Sequence, residues 1–260
     1  MYNTYLYSED EDNWVSFNTF FSRQFNGANK ITGITPLRPI AEPKNNLTIV
    51  SPAECTYKQD FPINEKGEVV NVHDSRNVRV QLKHVESFGT IEELFTPAAS
   101  DLAKDFYGGT FVHYFLNPFD YHRFHTPVHG KAVEVENIRG LMYLDVKMVK
   151  GQFDAPDKAT NGYEFRQARG LIIIDAGEEV GKVAIIPIGM GEVSGVNMYK
   201  ELKGRTVVKG QEFGKFKFGG SDIIMCFQKT PESLYFFKRD PMHNPIHFQY
   251  GQTAVYWNKN

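Results

Sequence analysis

Only two cysteines, Cys55 and Cys226, occur in 260 residues. That is too few for a zinc-finger spacing or a disulfide framework, so both are expected as small apolar side chains inside strands. Long apolar runs are missing as well. No stretch approaches 18 uninterrupted apolar residues, which excludes a membrane-spanning helix of ordinary length. Neither sign of charge is in excess: a formal net charge of -2 argues against a nucleic-acid partner, and no polybasic cluster is present to attract anionic lipid. Low-complexity tracts and internal repeats are also lacking. The opening MYNTYLYSEDEDNW is tyrosine-rich and acidic, unlike a secretory signal or a transit peptide, so the expected location is cytoplasmic, with room for peripheral contact at a membrane surface.

The length suffices to bury a substantial core, and a single domain over residues 1–260 is expected. DNWVSFNTFFSRQF reads as a helix over 13–25 with one broad aromatic face. Pro36, Pro39 and Pro43 then punctuate a connector without regular helix. From LTIVSPAECTYKQ onward the chain is strand-rich, interrupted by a helical stretch over 90–107. There Thr90 and Glu93 have capping-box spacing, and Ser100 is placed to cap a second short helix. Strands are expected at 110–116, 131–137, 141–148, 171–175, 182–188, 206–208, 214–218, 222–228 and 252–257. The fold class is therefore mainly β (α+β), sandwich- or barrel-like, with short helices in the N-terminal third.

Two segments carry chemistry. FDYHRFHTPVHG packs Asp120, His122, Arg123, His125 and His129 into ten residues. In an extended segment His122 and His125 point to opposite sides, so the spacing is a weak signal for metal. A metal-dependent β-barrel enzyme using His122, His125 and His129 stays open as one reading. His113 lies apart on an apolar strand and reads as a core histidine. The second segment is KFKFGGSDIIMCF, in which period-two apolar runs flank Gly219, Gly220 and Ser221. A hairpin or bulge is one explanation of the glycines.

FNTFFSRQF, LRPI, IVSPAE, FDYHRFHTPVHG and KGQEFGKFKFGGSD follow one another from about residue 14 to 228. This ordered set resembles the phosphatidylserine decarboxylases, pyruvoyl-dependent proenzymes that cut their own chain. The resemblance implies that Ser221 attacks the carbonyl of Gly220, yielding a β chain of residues 1–220, an α chain of residues 221–260 and a pyruvoyl group derived from Ser221, with no metal required. Glycines without a Cβ ease such an approach. His125 matches the family's general base for cleavage, and His122 the residue assigned to decarboxylation. The family's orienting aspartate is Glu54 here, with Asp120 as a substitute. Arg123 reads as a substrate contact or a structural ion pair, and backbone N–H groups of GMGEVSGVN as an oxyanion pocket. Asp222 stands where close relatives carry Thr or Ser.

The implied substrate is an amino-carboxylate: phosphatidylserine first, a free aromatic amino acid such as tryptophan second. A homo-oligomer is expected. An inactive family member serving as a binding module is a further alternative, motivated by Glu54 and Asp222.

Overall fold

The structure, a computed structural model, describes residues 6–7, 16–70, 87–95, 99–140, 147–149, 152–154, 165–190, 195–217 and 220–258. The strands that position the site are, in chain order, β1 (Thr48–Val50), β2 (Cys55–Pro62), β3 (Thr110–Leu116), β4 (Arg123–His125), β5 (Gly130–Ile138), β6 (Arg169–Asp175) and β7 (Lys182–Met190). They continue with β8 (Val196–Met198), β9 (Thr206–Val207), β10 (Glu212–Phe216), β11 (Gly220–Phe227), β12 (Leu234–Phe236), β13 (His247–Phe248) and β14 (Thr253–Trp257). Eight of them form an antiparallel sheet in the order β9-β5-β6-β7-β11-β3-β2-β13. Two three-stranded sheets, β8-β10-β4 and β12-β14-β1, complete the frame.

The central strands read as nearly unbroken apolar runs because both faces of the sheet are covered. Alternation sorts their side chains cleanly. Ile172, Ile174, Val183, Ile185, Ile223 and Met225 face one core with Phe124, Phe213 and Phe216 from the smaller sheet. Ile173, Ala184, Ile186, Ile224 and Cys226 face the other, covered by α2 (Ile91–Phe95) and α3 (Ser100–Ala103) through Ile91, Leu94, Phe95 and Ala103. The mainly β expectation, with short helices early in the chain, agrees with this architecture. Cys55 and Cys226 are buried free thiols in strands, and the 26–47 connector holds neither helix nor strand.

Several boundaries differ from the sequence expectation. The helix at 13–25 shrinks to α1 (Phe17–Phe21), opened by a reciprocal Ser16–Thr19 capping box; residues 13–15 lie outside the described residues. Asn, Thr and Phe are weak helix formers, and Gln24–Phe25 pairs as a strand with Leu6–Tyr7 instead. The Thr90–Glu93 capping box forms in both directions. Ser100 is the first residue of α3, with Ala99 at the cap and no side-chain bond. Of the 141–148 strand only residues 147 and 148 are described, within the strand Lys147–Val149.

The strands expected at 214–218 and 222–228 occupy Glu212–Phe216 and Gly220–Phe227. They belong to different sheets, the smaller one and the main one.

Candidate active site

Strand β4 is only three residues long, yet three motifs meet on it. His125 N donates to Pro52 O at 2.7 Å, which docks the SPAE segment on one side. On the other side β10 pairs with β4, Glu212 opposite His125 and Lys215 opposite Arg123. Phe216 N donates to His122 O at 2.9 Å. Gly214 is required at this crossing: a Cβ there would lie 2.2 Å from the Phe124 ring and 2.4 Å from Asn197 O. Five residues after Phe216 comes Ser221, on the neighbouring sheet.

Ser221 pairs with Gly189 of β7 and Leu116 of β3. Its side chain shares the face of Ile223 and Met225, and therefore the core that contains Phe21, Phe124 and Phe216. The Oγ is buried and has no hydrogen-bond partner among the described residues. Asp222 points to the opposite face, where its Oδ2 is 3.3 Å from His113 Nε2, both side chains buried. The carboxylate next to Ser221 in sequence is thus turned away from it, and the core histidine is its partner.

His122 and His125 leave the backbone in different directions. The His122 ring stacks on Phe21 at 3.7 Å and meets Phe216 edge-on, with Nδ1 2.8 Å from Asp120 O. The His125 ring lies flat on Tyr250, 3.8 Å between centroids and 6° between planes, with Nδ1 2.8 Å from Gly210 O. Both Nε2 atoms are buried without a hydrogen-bond partner among the described residues. A carbonyl oxygen only accepts, so each Nδ1 carries the proton and each Nε2 presents a lone pair. Neither histidine is hydrogen-bonded to Ser221 in this conformation.

Burial holds His122 at about 3 and His125 at about 4, against an ordinary 6.5. Folded, both stay neutral where the unfolded chain would protonate them, so stability falls as pH drops from 6.5 toward 4. At pH 5 each histidine is expected to cost about 2 kcal/mol. Asp120, pushed up to about 6 by burial, acts in the opposite sense by about 1 kcal/mol and does not offset the pair. Urea midpoints at pH 7 and pH 5 check this; equal midpoints refute it.

The two carboxylates expected to orient His125 converge elsewhere. His247 Nε2 lies 3.5 Å from Asp120 and 3.9 Å from Glu54, distances of ion pairs without a close hydrogen bond. Arg38 takes the other Glu54 oxygen at 3.4 Å. Burial pushes Glu54 up, but His247 and Arg38 outweigh it and leave the carboxyl below its ordinary value. Glu54 beside it holds His247 above its own.

Arg123 is a structural tie. It is buried, 2.7 Å from Glu212, and its Nε donates to the carbonyls of Ser22 and Arg23. His129 is exposed, with its backbone paired to Asn46, so the three histidines of the motif do not converge. Among the described residues, the metal-capable atoms that come within 4.8 Å of one another belong to Glu54, Asp120 and His247. Within GMGEVSGVN, residues 191–194 lie outside the described residues; Gly189 N donates to Ala168 O at 3.0 Å, and Val196 and Asn197 pair with Phe216 and Lys215. His247 and Tyr250 could not be found by motif, since each sits alone in the C-terminal segment. Glu212 stood inside the KGQEFG element, where its residue type alone does not mark it as the partner of Arg123.

A buried serine that follows a glycine pair in the sequence and two buried histidines, each with a bare Nε2, are a hydroxyl and two proton acceptors of the kinds that acyl-transfer chemistry uses. The family model for phosphatidylserine decarboxylase matches residues 17–256, and the chain belongs to that family. A phosphatidylserine decarboxylase proenzyme of Fusobacterium nucleatum subsp. nucleatum is 33% identical over 227 residues, covering 86% of this chain and 63% of the relative. An L-tryptophan decarboxylase of Psilocybe cubensis is 27% identical over 225 residues, covering 82% of this chain and 46% of the relative. Phosphatidylserine decarboxylase proenzyme 3 of Schizosaccharomyces pombe is 30% identical over 220 residues, 84% of this chain and 19% of the relative. The chain thus spans less than two thirds of each of these relatives.

Proposed function

We propose that this chain is a self-processing, pyruvoyl-dependent decarboxylase, with phosphatidylserine as its substrate and Ser221 as the source of its reactive group. The observation that carries the reading is the Ser221 hydroxyl, buried without a partner among the described residues at the head of a strand whose first residue is Gly220. A buried hydroxyl left unbonded is costly unless it has a task. Ser221 Oγ attacks the Gly220 carbonyl carbon while His125 Nε2 takes the hydroxyl proton, and the C–N bond breaks as that proton passes to the nitrogen. The resulting ester is then opened by loss of the Ser221 α-proton, with the Gly220 carboxylate as leaving group. Tautomerisation of the new N-terminal enamine and addition of water release ammonia and leave the ketone.

A pyruvoyl group supplies a carbonyl that condenses with the substrate amine and accepts the electron pair left by departing carbon dioxide. His122 completes the proton balance. The substrate amine gives up its proton to solvent before it condenses, and His122 Nε2 relays a proton in transit to the carbon that has lost carbon dioxide.

Among the described residues no helix is long and apolar enough to cross a membrane. The reading uses peripheral contact, for which exposed Phe17 and Phe119, linked through Phe20 and Arg23, are suited. A second reading, a free aromatic amino acid as substrate, draws on the tryptophan decarboxylase relative. Carbon dioxide release from phosphatidylserine vesicles, measured beside free tryptophan, tyrosine and serine, separates them. Release from vesicles at least tenfold faster is expected, and release from a free amino acid alone transfers the assignment.

A further inference from the structure

We infer that the Lys209-Gly210 pair orients His125 for chain cleavage, the Gly210 carbonyl fixing the imidazole tautomer and Lys209 holding that carbonyl in place. The inference rests on His125 as the cleavage base, and it gives work to two residues of the KGQEFG element that the chemistry above leaves unused.

The starting point is the partner of His125 Nδ1. A carboxylate there would fix the ring and stabilise its cation; here a backbone carbonyl, Gly210 O at 2.8 Å, fixes the ring alone. The turn that carries this carbonyl is tied to Thr126. Gly210 N donates to Thr126 O at 2.8 Å, Thr126 N donates to Gln211 O at 2.8 Å, and Thr126 Oγ1 donates to Val208 O at 2.6 Å. Gly210 has φ +82°, and a Cβ would fall 2.5 Å from the Ile40 side chain, so only glycine turns the carbonyl toward the imidazole.

Lys209 anchors the same turn. Its side chain is buried, and Nζ donates to Glu42 O at 2.8 Å, Asn45 O at 2.5 Å and Thr48 O at 2.6 Å, which uses all three ammonium protons. Burial lowers this amine to about 8, so it remains mostly charged at neutral pH. The segment it grips runs into β1 and on to Pro52, whose carbonyl accepts the backbone N–H of His125. One buried lysine therefore fastens both the ring contact and the main-chain contact of His125. Glu54, engaged with Arg38 and His247, is not needed for the tautomer.

The test reads the imidazole directly. In full-length Ser221→Ala protein, nitrogen-15 spectra of the histidines are expected to show His125 protonated at Nδ1 and bare at Nε2. Adding Glu54→Gln should leave that pattern, whereas adding Lys209→Met should yield mixed tautomers. In the Ser221 chain Lys209→Met is expected to slow cleavage at least tenfold, about the effect of one lost hydrogen bond to a charged group. Should Lys209→Met not fold, Thr126→Val, which keeps the lysine and removes the hydroxyl bonded to Val208 O, is expected to give the same mixture. An Nε2-protonated His125 in the parent protein overturns the inference. So does an unchanged tautomer in the folded Lys209→Met chain or, failing that, in Thr126→Val. A wild-type chain that never cleaves defeats the proposed function instead, and the spectra still decide this point.

Discussion

Ser221→Ala is expected to leave one unbroken chain of 260 residues, while the unsubstituted protein separates under denaturing conditions into residues 1–220 and 221–260. The effect is all-or-none because no other side chain follows directly on the Gly220 carbonyl, and intramolecular proximity of this kind is worth several orders of magnitude in rate. Loss of folding does not confuse the result. The hydroxyl is buried and has no partner among the described residues, so its removal is near neutral or mildly stabilising, and the melting temperature should hold or rise. Intact mass provides the measurement, since the larger fragment ends at Gly220 and the smaller one carries a ketone in place of the serine amine. Wild-type protein that stays whole through prolonged incubation sinks the assignment. Cleaved protein is expected to stay assembled, because β11 lies between β7 and β3 and residues 221–258 also supply β12, β13 and β14.

Period-two alternation made the strands on either side of Gly219-Gly220 legible, and a continuous apolar run did the same for β3, matched residue for residue at 110–116. It could not reveal that β10 and β11 belong to different sheets. Alternation reports which side chains are buried and carries no information on which strand lies alongside. The same limit governs the site. YHRFH exposed both histidines, and alternation alone sent them in different directions. The partner of His125 Nδ1 is a main-chain carbonyl, Gly210 O, and a carbonyl has no residue type to recognise. Glu54 and Asp120 were legible as acids, but His247, which gathers them, follows more than a hundred residues after the nearer one. The long 13–25 helix failed for a local reason: its aromatic periodicity was real, yet Ser16, Thr19 and Ser22 spend their hydroxyls on the backbone of a single turn.

His125→Ala is expected to block cleavage, and His122→Ala to permit cleavage while abolishing carbon dioxide release. The separation follows from what each ring touches. His125 is held by the Gly210 carbonyl and the Tyr250 face, with Nε2 bare and the ring neutral down to about pH 4; a neutral imidazole is the form that accepts a hydroxyl proton. Loss of such a base typically costs about a hundred- to ten-thousand-fold, so on a scale of hours the chain stays whole. His122 sits between Phe21 and Phe216, with Asp120 O on its Nδ1. Its truncation leaves Gly210, Lys209 and the His125 ring untouched. The cleaved His122→Ala protein should therefore have the fragment masses of the wild type and a reactive ketone detectable with a hydrazine reagent, yet release carbon dioxide at least about a hundredfold more slowly. Cavity formation is controlled with His122→Phe, which keeps the ring and discards both nitrogens: it should cleave and fail to decarboxylate in the same way. Equal cleavage rates in the two alanine variants would show that the division of labour is wrong, and cleavage lost only in His122→Ala would exchange the roles.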